Sequence, residues 1–206
     1  MQQIAPHVNV VVVPNGMDER TVCPGRRVDT DSVGFIGTYS MRPNVEAACF
    51  LAEKVFPEVL RLRSNARLRI AGAHMPDDMA SRLGRLAYVD LLGAVQNSSE
   101  LFETCAVIAL PVFIYGGTPL KLVEAMARGK AIVASSALAA KLSVSNGKDL
   151  LLRDDPASFA SAIAALMADR KENERLGNNA RETFLRIWSR ENSEQVMRRS
   201  SILGKR

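Results

Sequence analysis

The sequence predicts a single doubly wound α/β domain of the Rossmann type, with a parallel sheet and a helical carboxy-terminal tail. Short β-branched runs alternate with segments of helical period along most of the chain. The 206 residues suffice for one good-sized domain and are few for two. A hydrophobic content of 47% with 24% charged residues is ordinary for a folded globular protein.

The predicted strands are short apolar runs that end near glycine or a turn. In chain order they are VNVVVV, SVGFIG, RLRIAG, YVDLLG, AVIALPV, AIVAS and DLLLR. Helices are predicted between them over residues 44–63, 77–86, 98–104, 119–128 and 137–143. Pro57 predicts a break near the end of the first helix, and Asp155 predicts an N-cap with Pro156 at the first helical position.

Three parts of the chain differ in pattern. Residues 1–31 are predicted to be an interdomain strand and linker segment, because PNGMDERTVCPGRRVDTD has turn dipeptides and no apolar period. Residues 32–190 carry the predicted sheet and its helices. Residues 191–206 are predicted to be a helical tail.

Composition narrows the classes of function. Cys23, Cys49 and Cys105 are far apart and in no C-x-x-C arrangement, which argues against a disulfide framework or a zinc site and is typical of a reducing cytoplasm; no metal is expected. The net charge of +5 favours anionic ligands or peripheral contact with an anionic membrane, and a solvated arginine-rich helix face is the alternative. Aromatic residues, at 5%, do not interleave with the basic runs, so no nucleic-acid partner is expected.

The strongest candidate site is GGTPLKLVEAMARGKAIV, residues 116–133. Lys121 and the free N–H groups of a helical first turn would bind a phosphate, and Glu124 would accept hydrogen bonds from a ribose diol. An ordinary surface ion pair between Lys121 and Glu124, three residues apart, is the alternative. The start of this helix is predicted from two glycines, an N-cap and a first helical residue: Gly116, Gly117, Thr118 and Pro119.

Two other loops follow predicted strands, where ligands bind in open parallel sheets. In GFIGTYSMRPN, Gly37 and Pro43 mark a strand-to-helix turn, and a tight turn explains these residues as well as a ligand does. This loop is not G-x-G-x-x-G, and no acidic residue ends the second strand, which argues against a dehydrogenase. The loop LLGAVQNSSEL is a weaker candidate.

Taken in order, these motifs resemble the carboxy-terminal, donor-binding domain of retaining glycosyltransferases of the two-Rossmann-domain (GT-B) type, in family 4. The resemblance covers nearly the whole chain, from VVVVPNGMD through GFIGTYSMRPNVEAACFL and PVFIYGGTPLKLVEAMARGKAIVAS to LGNNARETFLRIWS. It implies that residues 32–190 bind a nucleoside diphosphate sugar without a metal or cofactor. The expected activity is transfer of a hexose to a saccharide or lipid-linked acceptor in polysaccharide biosynthesis, in the cytoplasm or at the inner face of the membrane. A non-catalytic nucleotide-binding or partner-docking module is the alternative from another class, and an epimerase is a third.

The resemblance also implies residue roles. Glu124 matches the second Glu of the family's Glu, seven residues, Glu pattern, whereas Gly116 replaces the first and Pro119 replaces a common basic residue. Diphosphate binding would therefore depend on Lys121, helix amides and Arg42. Two residues would face the phosphates and two the base, and no catalytic residue is assigned. The expected donor-binding residues are Gly37 and Thr38 (phosphates), Ala94 and Val95 (base), Arg42, Gly116, Gly117, Thr118, Pro119, Leu120, Lys121 and Glu124.

Family members are about twice as long, which implies an acceptor-binding domain before Val8. The chain is therefore expected to be half of an enzyme, completed by that domain or by a separate chain. Apolar residues of the last helices are expected to be left uncovered for this partner: Phe184, Ile187, Trp188, Val196 and Met197.

Overall fold

The computed structural model of the chain describes residues 12–18, 29–114, 116–140 and 142–203. Six strands pair in parallel: β1 (Asp29–Ile36), β2 (Arg67–Ala71), β3 (Val89–Gly93), β4 (Cys105–Leu110), β5 (Ala131–Ala134) and β6 (Leu151–Leu152). Their order across the sheet is β3-β2-β1-β4-β5-β6. This order joins two βαβ halves between β1 and β4, which confirms the predicted doubly wound fold.

Helices cover both faces of the sheet. They are α1 (Arg42–Phe50), α2 (Phe56–Leu62), α3 (Asp77–Leu83), α4 (Ser99–Thr104), α5 (Leu120–Ala127), α6 (Ser136–Ala139), α7 (Pro156–Ala168), α8 (Arg170–Ile187) and α9 (Arg190–Leu203). The predicted N-cap is confirmed, because the Asp155 carboxylate accepts a hydrogen bond from the Ser158 N–H at 2.9 Å. Across the described ranges, none of the helices has the length and apolarity needed to cross a membrane.

The first predicted helix is interrupted at the expected place. A π-helical segment, Leu51–Val55, lies between α1 and α2, and the Phe56 N–H donates to the Leu51 carbonyl five residues back. Pro57 follows directly, and a proline can neither donate to the carbonyl four residues earlier nor pack beside it in a regular helix. The widened turn accommodates the proline, so the segment bends instead of ending.

The core explains why the strands are continuous apolar runs. Every residue of β4 and β5 is buried, because helices pack on both sides of these central parallel strands. The five largest fully buried side chains are phenylalanines: Phe35, Phe56, Phe102, Phe159 and Phe184. This packed frame fixes the loops at the carboxyl edge of the sheet.

Some predicted boundaries differ from the structure. The first sheet strand begins at Asp29, three residues before the predicted start, because Arg69 of the neighbouring strand binds the Asp29 carboxylate at 3.1 Å and holds a polar strand end. The predicted strand at 8–13 falls mainly outside the described residues, and the described part, Val12 and Val13, is not in a strand. DLLLR forms only the two-residue β6. The domain boundaries at residues 31 and 190 stay predictions.

The last helices are packed more completely than expected. Phe184 and Trp188 are buried, so the prediction that these side chains are left uncovered is wrong for both; Met197 is exposed. The segment 12–18 lies against the junction of α8 and α9. There the Met17 N–H donates to the Trp188 carbonyl at 3.0 Å, and the Arg190 N–H donates to the Met17 carbonyl at 3.1 Å.

Candidate functional site

Three glycines at the carboxyl ends of β1, β2 and β3 bring their loops together. The Gly37 N–H donates to the Ala71 carbonyl at 3.1 Å, and the Gly72 N–H donates to the Gly93 carbonyl at 2.7 Å. Gly72 has a φ of +142°, and a Cβ there would lie 1.7 Å from the Gly37 carbonyl oxygen. These strand ends therefore pack backbone against backbone, with no room for a side chain between them.

A cavity of about 570 Å³ opens beside these turns and beside the point between β1 and β4 where the strand order reverses. Its walls come from the loop after β1, the start of α1, the loop after β3 and the residues that lead into α5. The cavity brings together most of the predicted site residues: Gly37, Thr38, Ala94, Val95, Gly116, Thr118, Leu120, Lys121 and Glu124.

The start of α5 is shifted by one residue from the prediction. Pro119 is the N-cap and Leu120 the first helical residue, so the predicted N-cap at Thr118 is wrong. The ψ of Pro119 is 76°, which is not helical, and the Leu120 N–H donates to the Thr118 carbonyl at 2.9 Å. No backbone carbonyl of the described residues accepts a hydrogen bond from the Lys121 N–H. As far as the described residues go, the first turn of α5 therefore keeps one donor for a ligand in the cavity.

Lys121 supplies the positive charge of the cavity. Its ammonium donates a hydrogen bond to the Asn44 side-chain oxygen and lies 5.1 Å from the centroid of the Phe35 ring. No carboxylate of the described residues forms an ion pair with it. Burial lowers the pKa of Lys121 to about 8, because desolvation disfavours the charged form.

Glu124 is held by partners other than Lys121. Its Oε1 accepts hydrogen bonds from the Ser98 hydroxyl and from Nε and Nη2 of Arg128, the latter two at 3.2 and 3.0 Å. The surface ion pair between Lys121 and Glu124, the structural alternative, is therefore wrong: the carboxylate turns toward the next helical turn. Within the described chain, all these bonds go to Oε1, which leaves Oε2 for a ligand.

Arg128 ties the carboxylate to the core. Its side chain is only 7% exposed, lies 5.4 Å from the centroid of the Phe102 ring, and places Nη1 3.5 Å from Glu103. Arg128 thus lies between two carboxylates, Glu103 and Glu124. Such an arrangement fixes the Glu124 side chain before any ligand arrives.

Three predicted site residues do not line the cavity: Arg42, Gly117 and Pro119. The Arg42 guanidinium is exposed and pairs with Glu46 on the outer face of α1 at 2.6 Å. Gly117, with a φ of +89°, and Pro119 shape the entry into α5.

The prediction missed three residues that hold the site: Asn44, Ser98 and Arg128. The spacing of four residues between Glu124 and Arg128 is a helical pairing signal that was available. The partners of the other two are 77 and 26 residues away in the chain, so no local pattern marks them.

In the part of the chain that the structure describes, His, Cys, Asp and Glu form no group of three or more that could hold a metal ion.

Comparisons with known proteins agree with this architecture. The family model described as "Glycosyl transferases group 1" matches residues 30–169. No curated protein sequence matches the chain. Among solved structures, a TarM variant from S. aureus in complex with fondaparinux, alpha-GlcNAc-glycerol and UDP superposes with a TM-score of 0.74 at 18% identity. Anabaena HepE in complex with UDP and glucose superposes with a TM-score of 0.70 at 17% identity.

A third structure matches over its full length. The C-terminal domain of a glycosyl transferase group 1 family protein, LpcC from Francisella tularensis, has a TM-score of 0.63 and 16% identity, and the alignment covers 85% of this chain and 100% of that one. The chain covers only 41% of TarM and 56% of HepE, whereas 98% and 93% of its own length is aligned. At these identities the likeness shows the fold, which is that of a carboxy-terminal GT-B domain.

Proposed function

Because this chain belongs to the glycosyl transferases group 1 family, we propose that its cavity binds the nucleoside diphosphate part of a sugar donor. The chain would be the donor-binding half of a retaining glycosyltransferase that transfers a hexose to a saccharide or lipid-linked acceptor. One observation supports this most: the same cavity holds the Lys121 ammonium, which has no ion pair with a described residue, and a fixed Glu124 carboxylate, one helical turn apart. The structures of TarM and HepE, which contain UDP, share the fold.

The diphosphate would bind at the start of α5. Lys121 offers a full positive charge in a partly desolvated place, and the free N–H of the first turn adds a donor at the positive end of the helix. When the bond between sugar and phosphate breaks, negative charge develops on the leaving diphosphate. The same groups would stabilise that charge, and the loop of Gly37 and Thr38 would close the phosphate end of the cavity.

The ribose would bind at Glu124. Arg128 and Ser98 hold Oε1, so Oε2 is oriented before binding and can accept hydrogen bonds from a vicinal diol. Ala94 and Val95, which line the same cavity, would lie beside the base.

We propose that a second domain or chain covers the cavity and binds the acceptor. Met41, Ile114 and Leu120 line the cavity, and each is more than half exposed, which is unusual for large apolar side chains grouped at one site. The proposed enzyme would serve polysaccharide biosynthesis. It would act in the cytoplasm, with peripheral contact at the inner face of the membrane. The excess of basic residues suits that surface.

The first prediction separates the two halves of the site. Lys121→Met is expected to lower the affinity for UDP about 10- to 100-fold and to leave the affinity for uridine unchanged. The reason is that charge-assisted hydrogen bonds to phosphate contribute ~1.5–3 kcal/mol. Glu124→Gln should weaken both and abolish the preference for ribose over 2′,3′-dideoxyribose. Calorimetric titration with UDP, GDP and ADP measures these effects. Lys171→Met, which removes an exposed lysine, is the control. If Lys121→Met binds UDP as tightly as this control does, the assignment of Lys121 to the diphosphate is contradicted.

The second prediction concerns catalysis. The chain alone is expected to transfer no sugar, because the apolar rim is uncovered and a bound donor would stay solvated. Incubation with labelled nucleotide sugars and with saccharide or lipid acceptors measures this. Turnover well above the hydrolysis blank would show that the chain needs no second domain.

Gly116 favours a second candidate, a nucleotide-binding module that transfers no sugar. A Cβ at Gly116 would meet nothing within 4 Å, so the sugar end of the cavity has no side chain at the position where the family usually has Glu. Under this alternative UDP and UDP-hexoses bind equally well. A sugar-dependent gain in affinity favours the transferase instead.

A further inference from the structure

Asn44 is a buried polar residue on α1 that uses both ends of its side-chain amide. Its Nδ2 donates to the Thr38 carbonyl at 2.8 Å, and its Oδ1 accepts a hydrogen bond from the Lys121 ammonium. If the amide were rotated by half a turn, its NH₂ would face the ammonium and its oxygen would face the Thr38 carbonyl. Both of these contacts are repulsive. The amide therefore has one stable orientation, and it links the loop after β1 to α5.

Gly37 makes room for this link. A Cβ at Gly37 would lie 2.9 Å from Asn44 Cγ and 3.0 Å from its Cβ, closer than such atoms approach in proteins. The glycine is thus required by the Asn44 side chain, independently of any ligand. Asn44, Gly37 and Thr38 form one packed unit at the phosphate end of the cavity.

The partner of Lys121 is neutral; among the described residues the ion pairs with carboxylates are made by arginines, and the other described lysines form none either. Examples are the pairs of Arg63 with Asp31 at 2.7 Å and of Arg82 with Glu53 at 2.8 Å. Aspartate has nearly the same shape as asparagine, but a carboxylate at position 44 would neutralise the ammonium. A neutral acceptor fixes the position of the ammonium and leaves its charge available.

We infer that Asn44 is the positioning residue of this site, which holds the Lys121 ammonium against the loop after β1 so that its uncompensated charge binds the diphosphate. The inference rests on the proposed function. It explains why a partly buried lysine has no carboxylate partner among the described residues. An anionic ligand would supply the missing counter-charge.

The consequence is a specific pH dependence. Burial lowers the pKa of Lys121 to about 8, so the ammonium is charged below that pH and neutral above it. The other charged groups on the elements packed around it are Glu124, which is bound to Arg128, and the exposed pair of Arg42 and Glu46. Affinity for UDP, whose diphosphate group is ionised above neutral pH, should therefore fall as the pH rises through about 8.

The test uses Asn44→Asp and Asn44→Ala, with Asn179→Asp as the control, because Asn179 also donates to a backbone carbonyl but lies on α8. In Asn44→Asp the carboxylate raises the Lys121 pKa, so the pH midpoint at which UDP affinity is lost moves to a higher value. The UDP affinity at neutral pH falls about tenfold or more, because the carboxylate neutralises the ammonium. In Asn44→Ala affinity falls and the midpoint stays near that of the wild type. Uridine binding is unchanged in all three variants, and the control matches the wild type. Wild-type affinity and midpoint in Asn44→Asp would overturn the inference.

A second measurement separates this inference from the proposed function. The Lys121 pKa is read in the ligand-free chain from the NMR shift of its Cε as the pH is raised. Asn44→Asp should raise that pKa and Asn179→Asp should not; an unchanged value shows that Asn44 does not position the ammonium. If the wild type binds no nucleoside diphosphate while this pKa rises in Asn44→Asp, the proposed ligand is wrong and the placement of Lys121 by Asn44 is right.

Discussion

Gly72→Ala is expected to lower the free energy of unfolding by ~4 kcal/mol or more, the largest effect of any single methyl group at the site. The added Cβ would lie 1.7 Å from the Gly37 carbonyl oxygen and 2.8 Å from Tyr39 Cε2. The φ of +142° is also one that alanine rarely adopts. Because the nearest atom belongs to the backbone, no side-chain rotation relieves the clash. The ends of β1 and β2 would have to separate.

Two other glycines at the same edge provide controls. Gly93 has a φ of +65° but open space around it, so Gly93→Ala should show only the conformational penalty of ~1–2 kcal/mol. Gly116 has open space around it, so an added Cβ meets no clash and Gly116→Ala should be far less destabilising than Gly72→Ala. Equilibrium denaturation by urea gives all three values. If Gly72→Ala and Gly93→Ala are equally destabilised, the strand ends do not touch in solution.

Arg128→Leu is expected to destabilise the fold by ~3 kcal/mol, because it removes the nearly buried cation that forms an ion pair with Glu124 and lies 3.5 Å from Glu103. The carboxylates are 15% and 20% exposed, so water offsets part of the loss and the lower end of the usual range applies. Glu124 would also lose two hydrogen bonds that orient it. Affinity for ribonucleotides should therefore fall together with stability.

A matched ion pair on the surface is the control. Arg61 binds Glu58 at 2.9 Å with 73% of its side chain exposed, and Arg61→Leu should change stability by less than ~1 kcal/mol. The double variant with Arg128→Leu and Glu124→Gln should recover part of the stability, because it also removes the negative charge of Glu124, which Arg128 no longer balances. Equal effects of Arg128→Leu and Arg61→Leu would contradict the buried arrangement.

The fold could be predicted because its signals are local. Strands such as β4 and β5 are covered on both faces, so each is a short apolar run between glycines and helices. The start of β1 could not be predicted, because a polar strand end is held by Arg69 from another strand. The burial of Phe184 was missed because α8 packs closely against the turn between α5 and β5, where a Cβ at Gly177 would lie 2.1 Å from the Gly129 carbonyl oxygen.

The same distinction applies to the site. Lys121 and Glu124 lie within one contiguous stretch that reads as a helix start after two glycines, and both line the cavity. Their partners, Asn44 and Ser98, come from other loops and meet them only when the sheet forms. The N-cap was displaced by one residue because the sequence does not reveal the non-helical ψ of Pro119.

The central claim is that a nucleoside diphosphate binds at the carboxyl edge of the sheet, between β1 and α5. Its most direct test is the change in backbone amide NMR shifts when UDP is added to the wild-type chain, with GDP and ADP in parallel. The amides of Gly37, Thr38, Ala94, Lys121 and Glu124 are expected to move together and to saturate with one dissociation constant. A second cavity, of about 680 Å³, is lined by Lys130 and Asn173 and by Thr30 near the amino end of β1. Saturable shifts confined to that cavity, or no saturable shift with any of the three nucleotides, would contradict the assignment.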